Sequence, residues 1–429
     1  MRSRSVMALG LAAAVSVAML TGCSSSGGDS GDVTLKFWSW APNSQKVVDA
    51  WNKANPKIHV KYTDAGGGDE SASKLLTASR AGNAPDLALV EYTTLPSLIV
   101  AGVPADITKY TADVKDDFTQ GTWDQTTFDG KVYGVPQDVG PMSITYREDI
   151  FKQYGIAAPK TWDDFKVAAQ TVRKANPQAV IASIPPTEFG TYAGIAAQAG
   201  SQWWNVKDGK WTVGIADEDS LKVADFFQGL ADEGLISTDP LLTPEYDKAL
   251  NDGTMLSWPS ALWAPGVLQS VAPDTAGKWA LAPLPQWTAG DASVSYQGGS
   301  SIIVSKNSKH AEAAAKFATW YNANTDGVKL LLNTQNLYPA ATSGQELAKS
   351  QKPPALMPQQ TDFYSLAAQI SSETTPVTWG PNVNLAKSTF TDALSKAIAN
   401  KTPWRDAFIA TQKAVVQDMK KNGFKVTNG

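Results

Sequence analysis

The sequence predicts an α/β protein built as two lobes with a cleft between them. Residues 33–90 read as strand, helix, strand, helix, strand, which implies a mostly parallel, doubly wound sheet. Residues 134–151 hold two prolines and two glycines and then a strand pattern, as a chain passing extended from one half to another would. The length of 429 residues suits two or three domains or two large lobes, and a hydrophobic fraction of 43% is ordinary for a chain that buries large cores.

In the first part, Val33, Leu35 and Phe37 share one face of a strand that ends in Trp38-Ser39-Trp40. A helix opens at Ser44, carries Val47, Val48, Trp51 and Ala54 as its stripe, and stops at Asn55-Pro56. Ile58–Tyr62 is the second strand, Ser71–Arg80 the second helix and Leu87–Val90 the third strand. Ligands of such sheets sit beyond the carboxyl ends of the strands, here Trp38–Trp40, Asp64–Gly66 and Glu91–Thr93. Gly66-Gly67-Gly68 lacks the Gly-Lys-Ser/Thr ending and the Gly-x-Gly-x-x-Gly spacing of phosphate loops, so it reads as a flexible turn bordering the ligand.

Between Gly134 and Phe151, Met142, Ile144 and Tyr146 alternate with Ser143, Thr145 and Arg147 as in a half-buried strand. Glu148 and Asp149 then open a helix. On pattern alone the stretch fits a hinge crossing, with Gln137 and Asp138 presented to a cleft, or an ordinary loop into one more strand. Further on, Thr161-Trp-Asp-Asp164 is a capping box, Val180–Ser183 a short strand, Thr191–Ala199 a helix of small residues and Lys207–Val213 a hairpin. Asp219–Glu233 is amphipathic, the stretches ending at Trp258 and Leu284 are strands, and Tyr296–Val304 is a Gly-rich loop entering a strand, read as a second crossing. Leu337–Ala340 is a third crossing, Ala311–Tyr321 a helix, and the tail is helical around Leu385–Ala399.

Composition excludes several functions. Nothing is strongly basic and no Lys/Arg cluster is flanked by aromatics, which argues against nucleic acid. One cysteine rules out an intrachain disulfide and any Cys-based metal site, and His59 and His310 are expected at the surface, so no metal or cofactor is expected. Tryptophan stands out at 15 residues, several of them in Gly/Pro/Ser-rich loops.

Residues 1–22 read as a signal peptide: Arg2 and Arg4, then an apolar stretch from Met7 to Leu20 that is short for a membrane span. Removing them takes the net charge from −4 to −6. Leu20-Thr21-Gly22-Cys23 resembles the lipobox of bacterial lipoproteins, which implies cleavage before Cys23 and acyl chains on it, each buried CH₂ adding ~0.8 kcal/mol to the anchor. The alternative is a plain secretory signal. Residues 23–32 form a Ser/Gly/Asp tether.

Taken together, several features resemble the solute-binding lipoproteins of ABC importers, in the carbohydrate-binding group related to maltodextrin-binding protein. They are the lipobox, the strand closing in Phe37-Trp38-x-Trp40, Pro85-Asp86 with Ala105-Asp106-Ile107, Tyr133-Gly-Val-Pro136 leading to Ile144–Phe151 and Pro159–Phe165, and the Gly298-Gly299-Ser300 entry to Ile302–Val304. The family's usual Tyr-Asn-Lys is Tyr146-Arg147-Glu148 here. The resemblance spans most of the mature chain. It implies the type II periplasmic-binding-protein-like fold, with crossings near 137–139, 297–300 and 337–341. Its lobes are expected at 33–137 with 300–338 and at 138–299 with 339–429. It further implies a monomer that closes on a carbohydrate and docks on the permease's transmembrane subunits.

A pyranose has an apolar C–H face, which an aromatic ring covers for about 1 kcal/mol beyond burial, and a hydroxyl rim, which charged groups bind for roughly 1.5–3 kcal/mol. The candidate ligand residues are therefore Trp38 and Trp40, Glu91 and Tyr92, and Gln137 and Asp138. Trp203 and Trp204 join them, one toward core and one toward cleft, as do Trp258 and Trp263 from the second lobe, Gly298, Gly299 and Ser300 through backbone N–H groups, and Trp379 and Asn382 from the tail. Each Trp has a core reading beside the cleft reading; Trp51, Trp162, Trp320 and Trp404 lie on helical stripes and are expected in cores. The expected function is non-enzymatic capture of a mono- or oligosaccharide. The rivals are a binding protein for a peptide or polyamine, and a glycoside hydrolase using Glu91 with Asp138 or Glu188.

Overall fold

A computed structural model describes residues 32–335, 337–375 and 377–428. The signal peptide, Cys23 and all of the tether but Asp32 lie outside the described residues.

The first lobe is organised on a five-stranded sheet. Ile58–Asp64, Val33–Ser39 and Leu87–Glu91 lie side by side in parallel. Ser300–Val304 comes next and runs against them, and Val135–Asp138 closes the sheet antiparallel to it. Alternation decides what each face buries. Leu35 and Phe37 point to the side where Phe37 meets Phe317 at 5.4 Å and Tyr321 at 5.9 Å between ring centroids. Trp38, one residue on, points to the other side with Leu75, Leu95 and Leu98.

The second lobe has Met142–Arg147 as its central strand, with Ser257–Ala261 and Trp279–Pro283 antiparallel on its two flanks. This corrects the half-buried reading of that strand: Met142, Ser143, Ile144, Thr145 and Arg147 are all buried, because the strand is covered on both faces. Its alternation of polar and apolar residues therefore marks no solvent face. Val180–Ser183 also differs from expectation. It makes only isolated bridges, Val180 to Met255 and Ser183 to Ser237. The hairpin forms between Trp204–Lys207 and Lys210–Val213, its turn residues Asp208 and Gly209 at φ 50° and 69° as a type I′ turn needs. The Thr161 capping box closes reciprocally, Thr161 Oγ1 accepting from Asp164 N and Asp164 Oδ2 from Thr161 N, both at 3.0 Å.

Three segments pass between the two sheets, hydrogen-bonded to one another. Gln297 N donates to Gly140 O at 2.8 Å and Met142 N to Ser295 O at 2.8 Å. On the other flank Val139 N donates to Tyr338 O at 3.3 Å and Ala340 N to Gln137 O at 3.0 Å. The extended crossing is thus centred on 138–141, just ahead of the strand that the sequence pattern marks. Gly140 is required there by packing: a Cβ on it would lie 2.1 Å from Gln297 O. Gly140→Ala is expected to force the first two crossings apart and cost about 2 kcal/mol of stability in denaturant unfolding; an unchanged midpoint would show that the crossings slide freely.

Candidate functional site

The register brings the candidate residues to one sheet edge. Ser300 is paired with Glu91 on one side and with Asp138 on the other, so the ends of Leu87–Glu91 and Val135–Asp138 meet at the start of Ser300–Val304. Val33–Ser39 ends at the same edge, where Ser39 Oγ accepts from Ala41 N at 3.1 Å and turns the chain so that Trp40 is half-buried. From the second lobe comes Trp263, whose indole N–H donates to Gln297 O at 2.9 Å. Gly298 and Gly299 lie at φ 76° and 80°, and a Cβ on either would strike an aromatic ring, Trp263 or Tyr92.

These residues enclose a cavity of about 310 Å³. Trp40, Glu91, Gln137, Asp138, Trp263, Gly298, Gly299 and Ser300 line it, together with Gly67, Gly68, Leu242, Val267, Gln335 and Leu337, among others. None of the lining residues is Lys, Arg or His.

The remaining candidates lie elsewhere. Trp38 is on the far face of the sheet. Tyr92 is buried beneath the crossings, its hydroxyl donating to Asp138 O at 3.0 Å and its N–H to Gly299 O at 3.1 Å. Trp203 and Trp204 are both buried: Trp203 donates to Ser220 Oγ at 2.9 Å and packs 4.9 Å from Phe189, while Trp204 faces Trp379 at 6.3 Å. Trp379 is buried against Phe189. Trp258 is buried between Tyr246 and Trp263, where its ring supports the Trp263 ring edge-on at 5.4 Å. Asn382 donates to Val415 O at 3.1 Å and Asp418 Oδ2 at 3.0 Å, tying two tail helices together. Glu188 accepts from Thr191 and Gln297 and is not part of the lining.

Sequence reasoning passed over Leu242, Val267 and Gln335, and it placed Leu337 at a crossing without making it a ligand candidate. Val267 had a signal: it lies four residues after Trp263, one turn along the helix Ala264–Val271. The others are brought in by tertiary structure alone.

Two features give the cavity its chemistry. Gln137 is fully buried, yet neither its Nε2 nor its Oε1 finds a partner in the protein. A buried amide of this kind is costly unless something else satisfies it. Asp138 beside it is buried and accepts from the Ser300 hydroxyl. Burial pushes its pKa up to about 6; the Ser300 hydrogen bonds pull the other way and the Glu91 charge adds to the rise. Glu91 is itself met by Lys387 of the tail helix, with Nζ 3.7 Å from Oε2. The wall thus carries a carboxyl with a pKa near 6 and a charge-balanced glutamate under two indoles, and the unpartnered Gln137 amide is buried within it.

The chain matches the model of the bacterial extracellular solute-binding protein family over residues 38–327. It belongs to that family, whose members bind solutes outside the cell. It is 26% identical over 379 residues to the arabinooligosaccharide-binding protein of Bacillus subtilis, covering 84% of this chain and 86% of that one. It superposes with a TM-score of 0.85 and 28% identity on the ABC transporter associated binding protein of B. animalis subsp. lactis in complex with β-1,6-galactobiose, covering 92% of this chain and 99% of that one. The galacto-N-biose-/lacto-N-biose I-binding protein of Bifidobacterium longum superposes at 0.82 with 30% identity, over 93% and 100% of the two chains. The fold is the two-lobed one of these sugar-binding proteins.

The Asp138 carboxyl holds its proton more tightly in the folded chain than in the unfolded one. Its contribution to stability is full below about pH 4 and is lost as pH rises through about 6, where the buried carboxylate costs the fold up to about 3 kcal/mol. Asp138→Asn should therefore gain stability relative to wild type between pH 4 and pH 7 in urea unfolding without ligand. A difference that stays flat with pH would show that Asp138 is ionised throughout.

Proposed function

We propose that this protein is the extracellular capture subunit of an ABC sugar importer. It takes a mono- or oligosaccharide into the cleft, closes by rotation about the three crossings and hands the ligand to the permease. The observation that carries this reading is Gln137: a fully buried amide without protein partners, next to Asp138 and in the same cavity as the indoles of Trp40 and Trp263. Sugar hydroxyls both donate and accept, so they satisfy both ends of the amide and the carboxylate together, while the indoles cover C–H faces. A lining without Lys, Arg or His favours a neutral ligand over an acidic one. The sugars named for its relatives, β-1,6-galactobiose, lacto-N-biose and arabinooligosaccharides, are of that kind.

In this reading the lobes divide at 137/138, 299/300 and 338/339. The first comprises 33–137 with 300–338, the second 138–299 with 339–429. The protein acts as a monomer without catalysis, carried on an acylated Cys23 and the tether of residues 23–32 at the outer face of the bacterial membrane. Among the described residues no helix is long and apolar enough to cross a membrane. Labelled palmitate fed to the producing cells should tag the wild-type protein and not Cys23→Ser; an untagged wild type would remove the lipid anchor.

A panel of β-1,6-galactobiose, lacto-N-biose, arabinobiose, maltose and lactose should contain ligands that raise Tm and change Trp fluorescence. No response to any mono- or oligosaccharide would end the sugar reading. Gln137→Leu should abolish the response yet leave the ligand-free protein as stable as wild type or more so, because the variant buries no unpaired amide. Loss of stability in that variant would give Gln137 a structural role.

A further inference from the structure

One residue of the cavity wall breaks two rules at once. Leu242 is 53% exposed, one of few large apolar side chains so exposed among the described residues. It also lies at φ 56°, in the left-handed region where a Cβ crowds the following carbonyl and which leucine seldom occupies. Such a conformation persists only where the surroundings impose it, and it gathers at functional sites.

The surroundings here do impose it. Upstream, Ser183 Oγ donates to Asp239 O at 2.7 Å and Ser237 Oγ to Asp239 Oδ2 at 2.7 Å, which ties the loop to the second lobe. Downstream, Thr243 Oγ1 accepts from Tyr246 N at 3.2 Å and caps the helix Pro244–Asp252. Pro240 and Pro244 restrict the chain on either side. Between these anchors Leu242 lines the same cavity as Trp40, Val267 and Leu337, and it is exposed there where Gln137 and Asp138 are buried.

We infer that Leu242 is a specificity residue of the cleft, an apolar cap held in a strained conformation so that it packs on the C–H face of the bound sugar. The inference rests on the sugar reading of the cavity. Ligand binding covers the exposed isobutyl group, and the gain scales with the apolar area that the sugar presents to it. A sugar with axial hydroxyls at that face leaves them unpaired against the leucine and is disfavoured.

The test compares wild type with Leu242→Ala, Leu242→Gly and Leu242→Met in calorimetric titration, using the disaccharide of the panel above that gives wild type its largest Tm rise. Leu242→Ala should weaken that disaccharide about tenfold with Tm unchanged. Leu242→Gly should weaken it as much while its ligand-free Tm is no lower, since glycine adopts φ 56° without crowding. Leu242→Met should restore affinity to within about threefold of wild type. Wild-type affinity in the Ala and Gly variants would overturn the inference and leave the sugar reading intact. A clear fall in ligand-free Tm for Leu242→Gly would make Leu242 a structural plug and also overturn it. Absence of wild-type binding to any mono- or oligosaccharide would overturn the sugar reading, and this inference with it.

Discussion

The strand Ser300–Val304 is the element on which the site depends. It enters the first sheet between Leu87–Glu91 and Val135–Asp138 and runs against both. That pairing sets Glu91, Asp138 and Ser300 at one edge, and the Ser300 hydroxyl bonded to Asp138 locks the corner. Asp138 and Ser300 also stand where the chain crosses between the two sheets. Geometry of the hinge and geometry of the cavity floor are therefore one constraint. Gly140 follows from it, because the Gln297 backbone approaches too closely for any Cβ, and Gly299 follows because a Cβ there would strike the Tyr92 ring.

The floor that results is polar and buried. Burial that raises the Asp138 pKa also leaves the Gln137 amide without partners. A protein stabilised for its own sake would bury an apolar residue at Gln137. A binding site tolerates the cost because a ligand with donors and acceptors recovers it, and selectivity comes from the penalty of leaving those groups unmet. Leu242 makes the complementary case, an apolar group exposed where a ligand would cover it.

The tryptophans separate what a sequence pattern reveals from what it hides. Of the seven proposed for the cleft, Trp40 and Trp263 line the cavity. Trp38 lies one pleat away from usefulness, on the opposite face of its sheet. Trp203, Trp204 and Trp379 sit in loops and strand ends as a binding residue would, yet they form an aromatic core with Phe189 and its neighbours. Local sequence around an indole is the same in both settings; only the packing partners differ, and these come from 170 or more residues away in the case of Trp379.

What the sequence determined by itself were features with a local cause. The alternating strands, the capping box at Thr161, the Asp208-Gly209 turn and the glycines and prolines of the crossings are short-range steric and hydrogen-bonding choices, readable residue by residue. The order of strands and helices then implied two lobes, and strand ends implied Glu91, Asp138 and Ser300. Tertiary structure alone decided which face each tryptophan buries. It also decided that Met142–Arg147 is covered on both sides and that Leu242, Gln335 and Leu337 reach the cavity. Those outcomes depend on contacts between segments far apart in the chain, whose pairing the local pattern leaves open.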